Sequence, residues 1–155
     1  MPGYGIASSD EGLLPWSWAE ERLRTSRSYW LATTWPDGRP HVMPVWCLWD
    51  DGALWFSSAV GSRKIRNLRA DPRCVVTTED PVRPVVVEGR ATFVTDEARL
   101  GRVIELENAK YGTSLDVAFL DPAVNATIRV DPAVVIGLDD DAFNDSPTRW
   151  ELEQA

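Results

Sequence analysis

Tight turns between short β-prone runs constrain this chain more than any other feature of its sequence. Tyr29-Trp30-Leu31-Ala32-Thr33-Thr34 is aromatic and β-branched and reads as a strand. Trp35-Pro36-Asp37-Gly38-Arg39-Pro40 reads as a hairpin loop, with Gly38 free to take positive φ. His41 to Trp49 is then a return strand, Asp50-Asp51-Gly52 a second tight turn and Ala53 to Ser57 a third strand, which together predict an antiparallel meander. Further strands are expected at Cys74 to Thr78 and at Val85 to Val94, the latter bulged or bent at Gly89. Asn125 to Val130 and Val134 to Leu138 complete the set, split by an Asp131-Pro132 turn. Six or seven strands with mostly hairpin links hide their edges best by closing into a small barrel.

Three helices flank them. Ser17-Trp18-Ala19-Glu20 matches a capping box, so a helix is expected from about Trp18 to Ser26. A second spans about Ser62 to Ala70, with Ile65 and Leu68 placed to dock, and stops at Asp71-Pro72. A third runs from Asp96 to Ala109, with Leu100, Val103 and Ile104 spaced for burial and Gly112 at the C-cap. Ser114 to Asp121 is a short helix or loop, and Pro147-Thr148-Arg149-Trp150 is a tail ending in a lone aromatic. Residues 1–14 read as a flexible arm and 15–155 as one domain, since 155 residues fit one core.

The cation distribution is uneven. The net charge is −8, yet Arg63, Lys64, Arg66, Arg69 and Arg73 gather in one short stretch behind Ser57, Ser58, Gly61 and Ser62. An acidic chain lacks the broad positive field of a nucleic-acid binder. A strand, a hydroxyl-rich turn and a basic helix start instead make a cradle for a small anion, where orphan N–H groups and the helix dipole converge. The alternative is a helix whose charges face water. Cys47 and Cys74 form no CxxC pair, no apolar run spans a bilayer, and Met1 to Glu11 lacks a signal peptide's basic start. A cytoplasmic protein is expected.

Reactive side chains are scarce. His41 is the only histidine, which excludes a multi-His metal site and most His-based catalysis. His41 and Cys47 lie in one expected strand, roughly 20 Å apart at strand rise, and read as ordinary strand residues. Asp139-Asp140-Asp141 and Glu105/Glu107 read as solvated carboxylates. Neither phosphate-loop nor dinucleotide glycine motif is present. No catalytic side chain and no metal site is expected, so a cofactor must carry any reaction. Pro44, inside a strand, marks either a protected edge or a place where free backbone groups meet a planar polar ring. Eight Trp suit an interface or a ligand pocket.

Taken together, the Pro44-Val45 strand, the Ser57-Ser58 strand end, Gly-Ser-Arg-Lys-Ile-Arg-Asn-Leu-Arg-Ala-Asp-Pro-Arg from Gly61 to Arg73, and Val-Val-Val-Glu-Gly-Arg-Ala from Val85 to Ala91 resemble the split β-barrel flavin/deazaflavin-binding superfamily, which includes pyridoxamine 5'-phosphate oxidase-like proteins. The resemblance runs from Tyr29 to Val94 and more weakly to Trp150. It implies a mainly β (α+β) fold, a six-stranded antiparallel Greek-key split barrel with flanking helices, and a homodimer with the cofactor at the subunit interface. Ser57, Ser58, Ser62, Arg63 and Lys64 match the family's phosphate-binding segment, and Pro44, Val45 and Trp46 the strand lining the isoalloxazine ring. Arg149 and Trp150 match a Thr-Arg-Trp ending of the branch using coenzyme F420, whose tail can reach the partner's cofactor. A long anionic cofactor tail would suit the further cations, with Arg69 counted among the cofactor residues and Arg66 and Arg73 beside it. The Arg-x-His-x-Arg motif of true pyridoxamine 5'-phosphate oxidases is absent, so vitamin-B6 oxidation is not expected. The implied activity is hydride transfer from reduced F420 to an unsaturated small organic substrate. An FMN-binding flavoprotein and a non-enzymatic cofactor carrier or sensor are the alternatives.

Overall fold

The computed structural model describes residues 13–143 and 145–152. The 1–14 arm lies almost wholly outside them; of its two described residues, Leu14 donates its N–H to Thr148 Oγ1 at 2.9 Å. In chain order the elements are α1 (Trp16–Thr25), β1 (Tyr29–Thr34), β2 (Pro40–Val45), β3 (Leu48–Asp50), β4 (Ala53–Ala59), α2 (Arg63–Ala70), β5 (Arg73–Thr78), β6 (Val85–Val94), α3 (Glu97–Tyr111), β7 (Asn125–Gly137) and β8 (Thr148–Glu151), with 3-10 turns at Val117–Leu120 and Asp140–Ala142. All pairings are antiparallel, in the order β2-β1-β5-β6-β7-β4-β3, with β8 added on β7. The two ends of that path, β2 and β3, are consecutive in the chain and joined by Trp46 and Cys47 alone. The sheet must therefore curl until its ends approach. β5, β6 and β7 form a meander with β4 returning beside β7, a Greek-key arrangement.

The curl wraps a core in which Leu23, Tyr29, Leu31, Leu54, Ile65, Val76, Val87, Ile128 and Val130 are fully buried or nearly so. A second cluster, Leu48, Ala53, Trp55, Leu100, Val103, Ile104 and Leu120, seats α3 on β3 and β4. No helix among the described residues is long and apolar enough to cross a membrane.

Several expectations change. The return strand from His41 to Trp49 breaks at Trp46-Cys47, and its halves lie at opposite ends of the sheet, so the first strands are two hairpins and not a meander. The separation of His41 and Cys47 along one strand lapses with it. His41 Nδ1 instead lies 3.4 Å from Thr33 Oγ1, and Cys47 is buried in the core. The two expected last strands are one continuous strand, β7: Pro132 lacks a donor, but the register shift at Gly89 absorbs it, leaving Ala133 as the extra residue. The broken return strand and the paired tail make eight strands in place of six. The capping box also fails. Pro15, at φ −69°, takes the N-cap, and helix α1 starts at Trp16, two residues early, because Trp16 packs edge-on against Trp49 and Trp150. Elsewhere local chemistry held: Asp51 and Gly52 both take positive φ in the β3–β4 turn, as does Gly38 in the β1–β2 loop. Asp96 caps α3 by accepting from Arg99 N, and Gly112 ends it in the left-handed region.

Candidate functional site

Ser57 and Ser58 lie near the end of strand β4, and both hydroxyls are bound from the side. Ser57 Oγ and Thr127 Oγ1 are 3.1 Å apart across the β4–β7 pair, and Ser58 Oγ is 3.2 Å from Ser62 Oγ. Ser62 occupies the N-cap of α2 with extended backbone, but its hydroxyl makes no cap bond to the helix. It turns to Ser58 instead, and Lys64 Nζ donates to the same Ser58 Oγ at 3.2 Å. α2 is held in place by buried Ile65 and Leu68, and by Asn67, whose amide donates to Thr33 Oγ1 at 3.0 Å. Three hydroxyls and one ammonium are thus fixed at the mouth of the helix by core packing beneath them.

This cradle opens into a cleft of about 390 Å³ lined by Pro44, Val45, Trp46, Ser57, Lys64, Glu107, Thr113, Leu115 and Phe119. Two segments expected to serve one cofactor, Pro44 to Trp46 and Ser57 to Lys64, therefore share one wall-to-wall space. Among the described residues no carboxylate lies within ion-pair distance of Lys64, and partial burial pushes its amine below the usual lysine range. Burial likewise raises the Glu107 carboxyl. A partly desolvated cation without a counter-charge is stabilised by an anion, so the donor set fits a phosphate-bearing group. A larger depression of about 640 Å³ lies around Ala32, Asp71, Arg73, Cys74 and Gly89. Its Arg73 is already neutralised by Asp71, whose carboxyl is held down at about 2, and it touches none of the expected cofactor residues.

The remaining cations point elsewhere. The Arg63 guanidinium stacks 3.7 Å above Trp35, Arg69 lies 5.5 Å from the Phe93 ring centroid, and Arg66 is exposed. On β8, Arg149 bonds Glu151, and Trp150 packs against Trp16 and over Gly137 of β7. Within one subunit Arg149 and Trp150 do not line the cleft. Both thiols are buried, and burial pushes Cys74 up to about 12 and Cys47 in the same direction, so neither is an activated nucleophile. No group of three or more potential metal ligands gathers among the described residues.

Sequence reasoning missed the far wall: Glu107, Thr113, Leu115 and Phe119 from the end of α3 and the turn beyond it. Lys110-Tyr111-Gly112 read only as a helix end. Its side chains in fact bind the Trp46–Cys47 break, with Lys110 Nζ donating to Cys47 O and to Tyr29 Oη at 2.9 Å each. Burial lowers the Lys110 amine to about 8, from 10.5 for a free side chain. The charged form is thus penalised in the fold, and that penalty lifts as pH climbs from about 8 towards 10.5, where the unfolded chain still binds the proton. In urea melts the stability of wild type relative to Lys110→Met should rise across that window. A flat or falling difference would contradict the assignment.

A curled antiparallel sheet with a hydroxyl-and-lysine cradle at its opening defines the class: a small split barrel whose donor set fits a phosphate-bearing group beside a strand break. Residues 18–139 match the pyridoxamine 5'-phosphate oxidase family, and the chain belongs to it. Among solved structures, an F420 reductase is 30% identical, with a TM-score of 0.63, over 75% of this chain and 94% of that one. A conserved hypothetical protein of Mycobacterium tuberculosis is 26% identical, with a TM-score of 0.70, over 88% of each chain. An FAD-binding protein of Mesorhizobium loti is 24% identical, with a TM-score of 0.64, over 80% and 92%, a likeness of fold. No curated protein matches the chain.

Proposed function

We propose that this protein is an oxidoreductase that holds coenzyme F420 in the cleft and passes hydride to an unsaturated small organic substrate. One observation carries the reading: Lys64, half-buried and with no carboxylate in ion-pair distance among the described residues, faces the same cleft as Ser57 and the Pro44–Trp46 segment. Ser57, Ser58, Ser62 and Lys64 would hold the phosphate, and Pro44 to Trp46 would flank the ring. Bound there, the reduced cofactor supplies the hydride; the chain binds, orients and excludes water. Arg63, Arg69, Arg149 and Trp150 are proposed as outer contacts to the cofactor, the last two across a subunit boundary. The likeness to an F420 reductase supports the deazaflavin.

FMN is the second reading, favoured by a specific feature. Arg73 is neutralised by Asp71, and Arg63 and Arg69 lie over aromatic rings, which leaves one cradle suited to one phosphate. Vitamin-B6 oxidation is not proposed, since no histidine follows His41. Titration of the purified protein with F420 and with FMN tests both readings, and affinity weaker than millimolar for each would end the cofactor proposal. Turnover of enones or quinones by reduced cofactor then separates an enzyme from a carrier, for which binding without turnover is expected.

We further propose a homodimer with the cleft at its seam. Exposed Trp30, Val42 and Met43 on the β1–β2 side, Phe119 on the cleft wall, and exposed Val117 and Val124 support an apolar contact surface. Sizing by light scattering should give twice the 17.3 kDa chain mass; a monomer that binds cofactor would refute the seam. The proposed compartment is the reducing cytoplasm, in keeping with two free buried cysteines.

A further inference from the structure

The break between β2 and β3 is built more carefully than a loop needs. Tyr111, in the last turn of α3, lies parallel to Trp46, with ring centroids 4.4 Å apart and planes 7° from coplanar. Its hydroxyl accepts from Cys47 N at 3.0 Å and donates to Cys47 O at 2.9 Å. Lys110 Nζ adds a second donor to that carbonyl and bonds Tyr29 Oη, which in turn donates to Leu23 O at 2.6 Å. The Arg27 guanidinium lies 5.7 Å from the Tyr111 ring centroid. Cys47 has left one strand and not yet entered the next, so its backbone groups have no ladder partner. Side chains of α3 satisfy them, as buried polar backbone requires.

The clamp fixes the peptide after Trp46, and the stack fixes its ring. Even so, Trp46 keeps 51% of its surface exposed while lining the cleft. An indole held flat, with one face covered and the other open beside an anion cradle, costs no ordering when a second planar ring stacks on it. We propose that the face of Trp46 turned away from Tyr111 is a stacking platform for the planar ring of the molecule bound in the cleft, with Tyr111 its positioning residue. This rests on the cleft being a ligand site, and does not require the ligand to carry a phosphate. The ring could belong to the cofactor or to a flat organic substrate; the stacking chemistry is the same.

Two ring-only probes test it: lumiflavin, which has the tricyclic ring and no phosphate, and menadione, a planar quinone. Binding is followed by fluorescence in wild type, Trp46→Leu, Trp46→Phe, Tyr111→Leu and Tyr111→Phe, each first shown to melt cooperatively. Wild type should bind at least one probe, and Trp46→Leu should weaken it about tenfold while Trp46→Phe keeps most of the affinity. Tyr111→Leu should weaken it further than Tyr111→Phe, which retains the ring under Trp46 and loses only the Cys47 bonds. A loss confined to lumiflavin assigns the platform to the cofactor, one confined to menadione to the substrate. Equal binding by Trp46→Leu and wild type, or no binding of either ring by wild type up to its solubility, overturns the proposal. FMN binding wild type no tighter than lumiflavin would instead sink the phosphate anchor and leave the platform standing.

Discussion

Replacing Lys64 with alanine is expected to weaken cofactor binding by about 1.5–3 kcal/mol, or about 10- to 150-fold, the range for a charge-assisted contact. Lys64 is the one candidate cation that both lines the cleft and bonds the cradle, through Ser58 Oγ at 3.2 Å. With no carboxylate in ion-pair distance among the described residues, its charge is available to a ligand without first breaking an ion pair. The unliganded protein should respond in the opposite direction. Burial lowers the Lys64 amine, so the charged form is penalised in the fold, and Lys64→Ala should leave the apo melting temperature unchanged or raise it. Arg63→Ala should cost less affinity, because the guanidinium is already stacked on Trp35. Isothermal titration with FMN and with F420 reads both variants. Unchanged affinity in Lys64→Ala would move the phosphate site elsewhere.

Gly89→Ala is expected to destabilise the protein by about 1–3 kcal/mol, the usual penalty for overpacking a rigid site. A Cβ at Gly89 would stand 2.6 Å from Asp131 O and 2.8 Å from Val130 Cγ1. Neither neighbour can yield easily. Asp131 O is backbone of β7, which pairs with β6 at this point and with β4 up to the adjacent Val130, and Val130 is fully buried. The substitution would also crowd the register shift that lets Pro132 sit inside a strand. Gly101→Ala supplies the contrast. It lies inside α3, where an added Cβ meets nothing within 4 Å, and should stabilise by about 0.4–1 kcal/mol through the unfolded chain. Opposite shifts in melting temperature from two identical substitutions would separate close approach from helix propensity. A neutral Gly89→Ala would mean that β6 and β7 can part without loss.

Local signals carried most elements because their causes are local. Asp37-Gly38 and Asp51-Gly52 dictate their turns through φ, Asp96 and Gly112 bound α3 through caps, and the Val85–Val94 run was legible to the residue. The failures share one cause. A proline or a polar dipeptide was judged alone, whereas its consequence depended on a partner distant in sequence. Asp131-Pro132 looked like a turn until Gly89 accommodated it, and Ser17 looked like a cap until Trp49 and Trp150 drew Trp16 into the helix.

The site divides in the same way. Composition and order alone offered an anion cradle at Ser57 to Lys64, against a helix whose charges face water, and an irregular strand at Pro44, because hydroxyls, a helix start and a missing N–H are properties of the residues themselves. Only the tertiary structure decided that these two segments face each other across one cleft, that Lys64 has no ion-pair partner among the described residues, and that Arg63, Arg69 and Arg73 are engaged elsewhere. Those facts depend on which groups the curl of the sheet brings together. The pairing of Tyr111 with Trp46, 65 positions away in the chain, is of that kind: it exists because the two ends of the sheet meet in the Trp46-Cys47 link, which the last turn of α3 binds.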